Sequence, residues 1–295
     1  MAGFLSYSVA GLANGFIYSL IALGFVLIYK CSGILNFAQG VIAIFGAYIF
    51  YSFAAQLGLP IVAAVLLTLA VGALLGFFIE RFMLDRLIGQ PILAIIILTL
   101  AFSELLRGIM YMGWGTDVIS APPLFPVGGI SIANVATLGY SHIAFLVITL
   151  VLIGGFAIFY NRTRVGLTMK CTADDTVVAT SLGIRVPTVF AVTWVIACVT
   201  AAIAGILVTN VMGISYGVAE LGYKAMAVAL VGGLQSLPGI IIIGPVMGMI
   251  EFLAAGYIDP IVGGGMRDLA PFIILLIVLL VRPYGIFGWE RIERI

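Results

Sequence analysis

The sequence is a series of apolar runs, most of them long enough to cross a lipid bilayer, separated by brief polar breaks. They fall at about 7–29, 34–54, 61–79, 91–111, 141–160 and 188–210. A long run at 221–256 is interrupted by GGLQSLPG, and a short one follows at 269–281. A hydrocarbon core of about 30 Å needs about 20 helical residues to span it. Within it the backbone must satisfy its own hydrogen bonds, so only helices and closed barrels cross. Barrel strands alternate apolar and polar residues over about ten positions, whereas PILAIIILTLAF and PFIILLIVLLV do not alternate. The expected fold is therefore all-α: a polytopic transmembrane helical bundle of about eight spans, with one additional short or broken segment. Only 8% of the 295 residues are charged, against about a quarter in soluble domains, so one membrane domain over 1–295 is expected.

The start, MAGFLSYSVAGLANG, has no basic n-region and reads as the lead-in to the first span. Lys and Arg set the orientation. With the 80–90 and 161–187 loops and the tail in the cytoplasm, the inner side holds Lys30, Arg81, Arg86, Arg162, Arg164, Lys170, Arg185, Arg282, Arg291 and Arg294. The outer side holds Arg107, Lys224 and Arg267. The N-terminus is then outside and the C-terminus cytoplasmic. For the tail to end inside, the 221–256 run must make two short passes that meet at GGLQSLPG.

Net charge is +1, which points to no nucleic-acid partner. The sequence contains no GxxxxGK[ST] and no HExxH. Its three cysteines are scattered, and its single histidine, His142, starts the fifth run. No catalytic residue, metal site or cofactor is expected on this chain. Gly11/Gly15, Gly72/Gly76, Gly213/Gly217 and Gly244/Gly248 have the spacing that lets helix backbones approach closely.

Ionisable groups within spans are costly and usually functional. Glu104 and Arg107, three apart, share a helix face and are expected to form a structural pair. Glu251 has no local partner; it faces either a water-filled path or the outer interface. GILNFAQG (33–40) carries Asn36 and Gln39 between glycines. It is either a plain inner turn or a discontinuous helix of the kind that exposes polar groups to a substrate. Gly232, Gly233, Ser236 and Pro238 form either a tight turn or a gate or docking surface at the inner face.

The stretch NRTRVGLTMKCTADDTVVATSLGIRVP (161–187) is hydrophilic amid apolar runs. TADDTVVATSLGI predicts a short helix with Thr172 as N-cap, Asp174 and Asp175 at its positive end, and Gly183 as C-cap.

YSLIALGFVLIYKCSGILNFAQG, G-x₃-K-C-x₂-DD-x₃-A-x₃-GI (166–184), KAMAVALVGGLQSLPGIIIIG and LLVRPYGIFG occur in that order. Together they resemble the permease subunits of branched-chain amino acid ABC transporters, the LivH-like family, over about residues 10–290. The family usually has histidine at Gln39 and Arg-Ala at Lys170-Cys171. The resemblance implies a prokaryotic inner-membrane importer subunit that does no chemistry itself. Its implied partners are a second, related permease (the pair hetero- or homodimeric), two cytoplasmic ATPases that hold ATP and Mg, and an extracytoplasmic binding protein that docks chiefly on 112–140. It also implies that the 161–187 segment is a coupling helix seated on an ATPase, with Arg164, Gly166, Lys170, Asp174, Asp175, Ala179 and Gly183 as coupling residues. Alternating access then moves branched-chain or related hydrophobic amino acids along a path that includes Asn36, Gln39, Glu251, Gly232, Gly233, Ser236 and Pro238. Two further readings are urea or short amides as cargo, and an autonomous channel or secondary carrier.

Overall fold

A computed structural model describes residues 2–87, 90–126, 128–132 and 136–288. The order is α1 (Ala2–Ser32), α2 (Gln39–Tyr51, continued by a π-helical turn Ser52–Gln56), α3 (Ile61–Phe78, continued by a π turn Ile79–Leu84) and α4 (Ile92–Trp114). A hairpin of β1 (Gly129–Ile132) and β2 (Ala136–Gly139) precedes α5 (Tyr140–Arg162). Then come α6 (Arg164–Asp174), α7 (Thr176–Ser181), α8 (Val186–Met212), a 3₁₀ turn Tyr216–Glu220, α9 (Leu221–Gly232), α10 (Leu237–Tyr257), α11 (Asp259–Val262) and α12 (Met266–Val281).

Seven helices among the described residues are long and apolar enough to cross a bilayer. The two passes expected in 221–256 are α9 and α10, but they are unequal at 12 and 21 residues. At about 1.5 Å per residue α9 extends only about 18 Å, which makes it a half-length helix. Arg291 and Arg294 lie outside the described residues.

The most apolar stretch of α1 is 89% buried, against 22–28% for α3, α4 and α5. So α1 is the central post, and those three carry most of the lipid-facing surface. It packs on α10, α8, α9, α5 and α6. Glycine explains how it fits: a Cβ on Gly11 would stand 2.6 Å from the Gly248 carbonyl oxygen, and one on Gly15 would strike Gly244 and Pro245. Two of the small-residue pairs thus face each other across one seam, backbone against backbone, as packing-driven association in lipid favours. Gly72 and Gly76 of α3 lie against Cys198, Ala202 and the Trp194 carbonyl of α8. The Gly213/Gly217 pair makes no such seam. Gly213 ends α8 at φ +71°, and Gly217 falls in the 3₁₀ turn.

At one end of the bundle α6 and α7 project. At the other, the loop before β1 is tied to the end of α8 by the reciprocal Ile119–Ile214 bonds (2.9 and 2.8 Å) and by Leu124 N donating to Asn210 Oδ1 (2.6 Å).

Candidate functional site

The sequence-predicted residues fall into three places. The first is the break after α1. Residues 33–38 do not simply turn; they climb back along α1, so that α2 begins beside Gly24, eight residues before the end of α1. A Cβ on Gly24 would strike the Gln39 amide, which lies on the bare helix surface there. Gln39 Nε2 donates to the carbonyl of Ala197 (3.2 Å), near the middle of α8. Asn36 Nδ2 donates to Gln39 Oε1 (3.1 Å), and Asn36 Oδ1 accepts from Ala38 N (3.0 Å). Both side chains are fully buried. The break thus re-enters the bundle, and its two amides are taken up by bonds within the protein.

The half-length helix α9 starts at the same spot. Cβ atoms on Gly40 and Gly222 would stand 2.5–2.6 Å from each other's Cα, so α2 and α9 begin in contact, and their positive ends converge inside the bundle. Arg107 reaches this junction. It pairs with Glu104 at 3.2 Å, as expected, but Glu104 is largely exposed. Arg107 also lines a narrow crevice with Phe25, Phe37, Gly40, Gly222 and Tyr223, and its Nε is buried without a hydrogen-bond partner.

The second place is Glu251, and here the sequence reading needs correction. Glu251 opens onto no water-filled path; it is fully buried and multiply paired. Lys224 Nζ donates to Glu251 Oε1 (2.8 Å) and to Asp268 Oδ1 (2.8 Å), Arg267 Nε donates to Glu251 Oε1 (3.2 Å), and Tyr18 Oη donates to Glu251 Oε2 (2.5 Å). Two cations and two carboxylates thus join α1, α9, α10 and α12. Sequence reasoning placed Lys224 and Arg267 on the outer side and missed this cluster. The available signal was a lone base and a lone acid within a single apolar run.

The third place is the hydrophilic segment, which is two helices and not one. Thr163 caps α6, accepting from Gly166 N (3.0 Å). Asp175, extended at φ −157°, caps α7 and accepts from Val177 N (2.7 Å) and Val178 N (3.0 Å). Thr172 is not a cap. It lies inside α6, where its hydroxyl donates back to the Thr168 carbonyl (2.9 Å), because a helix already started at Thr163 runs through it. Gly183, at φ +82°, closes α7: its N–H donates to Thr180 O (2.9 Å) and that of Ile184 to Ala179 O (3.0 Å), a left-handed helix stop that glycine favours. Ala179 is buried, and a Cβ on Gly166 would strike the Tyr160 backbone. Lys170 Nζ donates to Asn161 Oδ1 (2.8 Å) and stands 5.0 Å from the Tyr160 ring centre; Lys30 of α1 stands 4.7 Å from the same ring. The segment is therefore fastened to α5 and α1. Arg164, at the start of α6, carries no hydrogen bond or ion pair among the described residues.

Gly232, Gly233, Ser236 and Pro238 lie apart from Asn36 and Gln39, at the far end of α9. Ser236 caps α10, accepting from Gly239 N (3.1 Å), and Lys30 Nζ donates to the Gln235 carbonyl (3.1 Å). The C-terminal stretch folds over this turn, with Ile286 N donating to Val231 O (2.8 Å).

Residues 7–281 match the family described as branched-chain amino acid transport system / permease component. The high-affinity branched-chain amino acid transport system permease protein BraD of Pseudomonas aeruginosa is 30% identical, over 99% of this chain and 98% of that protein. LivH of Escherichia coli K12, described in the same words, has the same identity and coverage. A probable LivH of Methanocaldococcus jannaschii is 28% identical over 96% of this chain and 94% of that protein. Among solved structures, PsaBC from Streptococcus pneumoniae in complex with Fab superposes with a TM-score of 0.50 at 15% identity, covering 93% of this chain and 91% of that one. That likeness concerns the fold alone.

Proposed function

The chain belongs to the branched-chain amino acid transport permease family, and on that premise we propose that it is the membrane subunit of an ATP-driven importer of branched-chain amino acids, worked by alternating access. It is a multi-pass membrane protein. Its orientation follows from the distribution of basic residues, with the N-terminus outside and α6 and α7 in the cytoplasm. Its partners are a second permease of the same family, two ATPases that hold ATP and Mg, and an extracytoplasmic binding protein that docks on the loops at the hairpin end. The chain itself moves cargo and leaves hydrolysis to the motor.

One observation carries the coupling role. α7 and the residue that follows it present Val177, Val178 and Leu182 to solvent, at 73%, 54% and 72% exposure, in the most hydrophilic segment of the chain. An apolar patch outside the membrane marks a protein contact. Behind that patch, α6 is fastened to α5 and α1 through Tyr160, so a push on α7 reaches the central post. A short element of this kind moves as a body. The path for cargo runs by the junction of α2 and α9, where converging positive ends and the Arg107 guanidinium suit a passing carboxylate and Phe25, Phe37 and Tyr223 suit an apolar side chain.

The test is Val177→Glu combined with Leu182→Glu in the assembled transporter. The expected result is loss of the co-purifying ATPase and of ATP-dependent leucine uptake, with the permease still in the membrane. ATP-dependent uptake at the unaltered rate would overturn the coupling role. Leucine flux through the purified chain with no ATPase present would replace the importer by an autonomous carrier.

A further inference from the structure

A cleft of about 470 Å³ opens where α6 meets α7. One water takes up about 30 Å³ of liquid, so the cleft has room for a small metabolite. Its walls come from separate parts of the chain: the end of α1 with the break behind it (Lys30, Ser32, Ile34), the first residue of α4 (Ile92) and the α6–α7 joint (Asp174, Thr176). Three charged residues line it, Lys30, Asp174 and Asp175, and Lys30 pairs with neither acid among the described residues. Lys30 Nζ makes one hydrogen bond, to the Gln235 carbonyl, and enters no ion pair among the described residues. Asp174 is exposed and makes neither a hydrogen bond nor an ion pair among the described residues; the cap of α7 is made by Asp175 instead. An ammonium that enters no ion pair, held by the Gln235 carbonyl and the Tyr160 ring, and a carboxylate without a partner therefore line one cleft beside the Asp175 cap, with Ile34 and Ile92 supplying apolar wall.

We propose that this cleft binds a free, zwitterionic apolar amino acid from the cytoplasmic side, and that its occupancy clamps the α6–α7 segment to α1. The ligand's carboxylate accepts from Lys30, its ammonium donates to Asp174, and its side chain lies against the two isoleucines. Charge-assisted hydrogen bonds of this kind are among the stronger polar contacts. The clamp holds the segment that must move for each cycle, so accumulated product slows its own import. The proposal rests on the importer reading for the identity of the ligand and for the meaning of the clamp.

The test uses the whole purified chain in phosphatidylcholine nanodiscs and radiolabelled leucine. The expected result is saturable binding that weakens by about tenfold or more in Lys30→Met and in Asp174→Asn, and that survives in Lys30→Arg. Neither 4-methylpentanoate, which lacks the ammonium, nor 3-methylbutylamine, which lacks the carboxylate, competes. Asp174 is exposed, so Asp174→Asn decides the matter even if Lys30→Met fails to fold. No binding, or binding indifferent to Asp174→Asn, overturns the proposal. So does binding present in phosphatidylcholine but abolished in phosphatidylethanolamine discs, which assigns the cleft to an ammonium lipid headgroup. Leucine uptake by cells carrying the full transporter is measured in parallel. Uptake without cleft binding sinks this proposal and leaves the importer reading intact, whereas absence of amino acid uptake sinks that reading instead.

Discussion

Lys224 Nζ lies 2.8 Å from Glu251 Oε1, and Glu251 has no solvent exposure at all. The pair ties the half-helix α9 to α10, and through Asp268 and Arg267 it reaches α12. A buried pair of this kind is costly to break from one side, because the remaining charge keeps its desolvation penalty.

Lys224→Met is therefore expected to lower stability, read as earlier loss of monodisperse protein on heating in detergent. The loss should be smaller than the cost of about 3–5 kcal/mol for a buried charge left with no partner, because Arg267 and Tyr18 still hold Glu251. Adding Glu251→Gln removes the under-compensated charge and should restore part of that loss. A double-mutant cycle measures the coupling; strictly additive losses would show that the two groups do not act as a pair.

The α1–α10 seam leaves no room for a side chain. Gly11→Leu and Gly248→Leu should each abolish the folded bundle, since overpacking of about 1–3 kcal/mol in an adaptable core becomes worse where backbone faces backbone. A Cβ on Gly108 or Gly154 would meet nothing within 4 Å, so leucine there should be tolerated. Equal yields of folded protein from both sets, compared by size-exclusion fluorescence, would remove the seam from the account.

Gln39→Leu keeps the bulk on Gly24 but deletes the acceptor for Asn36 Nδ2 and the donor to the Ala197 carbonyl. A buried polar group left without a partner costs about 1–3 kcal/mol. Leucine uptake per transporter should fall by about tenfold or more, whereas Gln39→Glu should retain more of the local bonding to Asn36. Wild-type uptake in the leucine variant would remove this junction from the transport path.

Orientation is testable at α7. Val177→Cys is well exposed, whereas Ser236 is only 7% exposed and makes a poor reporter. Cys31 and Cys198 are buried, so only Cys171 needs replacement by alanine. In intact cells an impermeant maleimide should leave Val177→Cys unlabelled, and in inverted vesicles it should label it. Labelling from the outside would place the α6–α7 segment out of reach of a cytoplasmic motor.

The helical class is legible in the sequence because lipid leaves the backbone few options, and apolar runs mark where those options apply. The Glu104–Arg107 pair is legible for a similar reason, since two residues three apart on one helix suffice to define it. What the sequence hides is non-local. Glu251 reads as partnerless because Tyr18, Lys224 and Arg267 come from three other elements. The GILNFAQG break is visible, but its climb into the bundle depends on the bare surface of Gly24 and on a carbonyl in α8. Thr172 and Asp175 are both good cap formers, and the choice between them turned on where the preceding helix began. The Gly11/Gly15 and Gly244/Gly248 pairs stand out individually, yet nothing local says that each is the other's counterpart.

That last match sets an order of events during synthesis. Gly15 emerges roughly 220 residues ahead of the start of α10, and at about 5–20 residues per second the interval is on the order of ten to forty-five seconds. Throughout it, the notched flank of α1 waits without the surface it meets in the folded bundle. This keystone is laid long before the piece that locks it, so a ribosome that stalls before residue 237 leaves the notch with no mate.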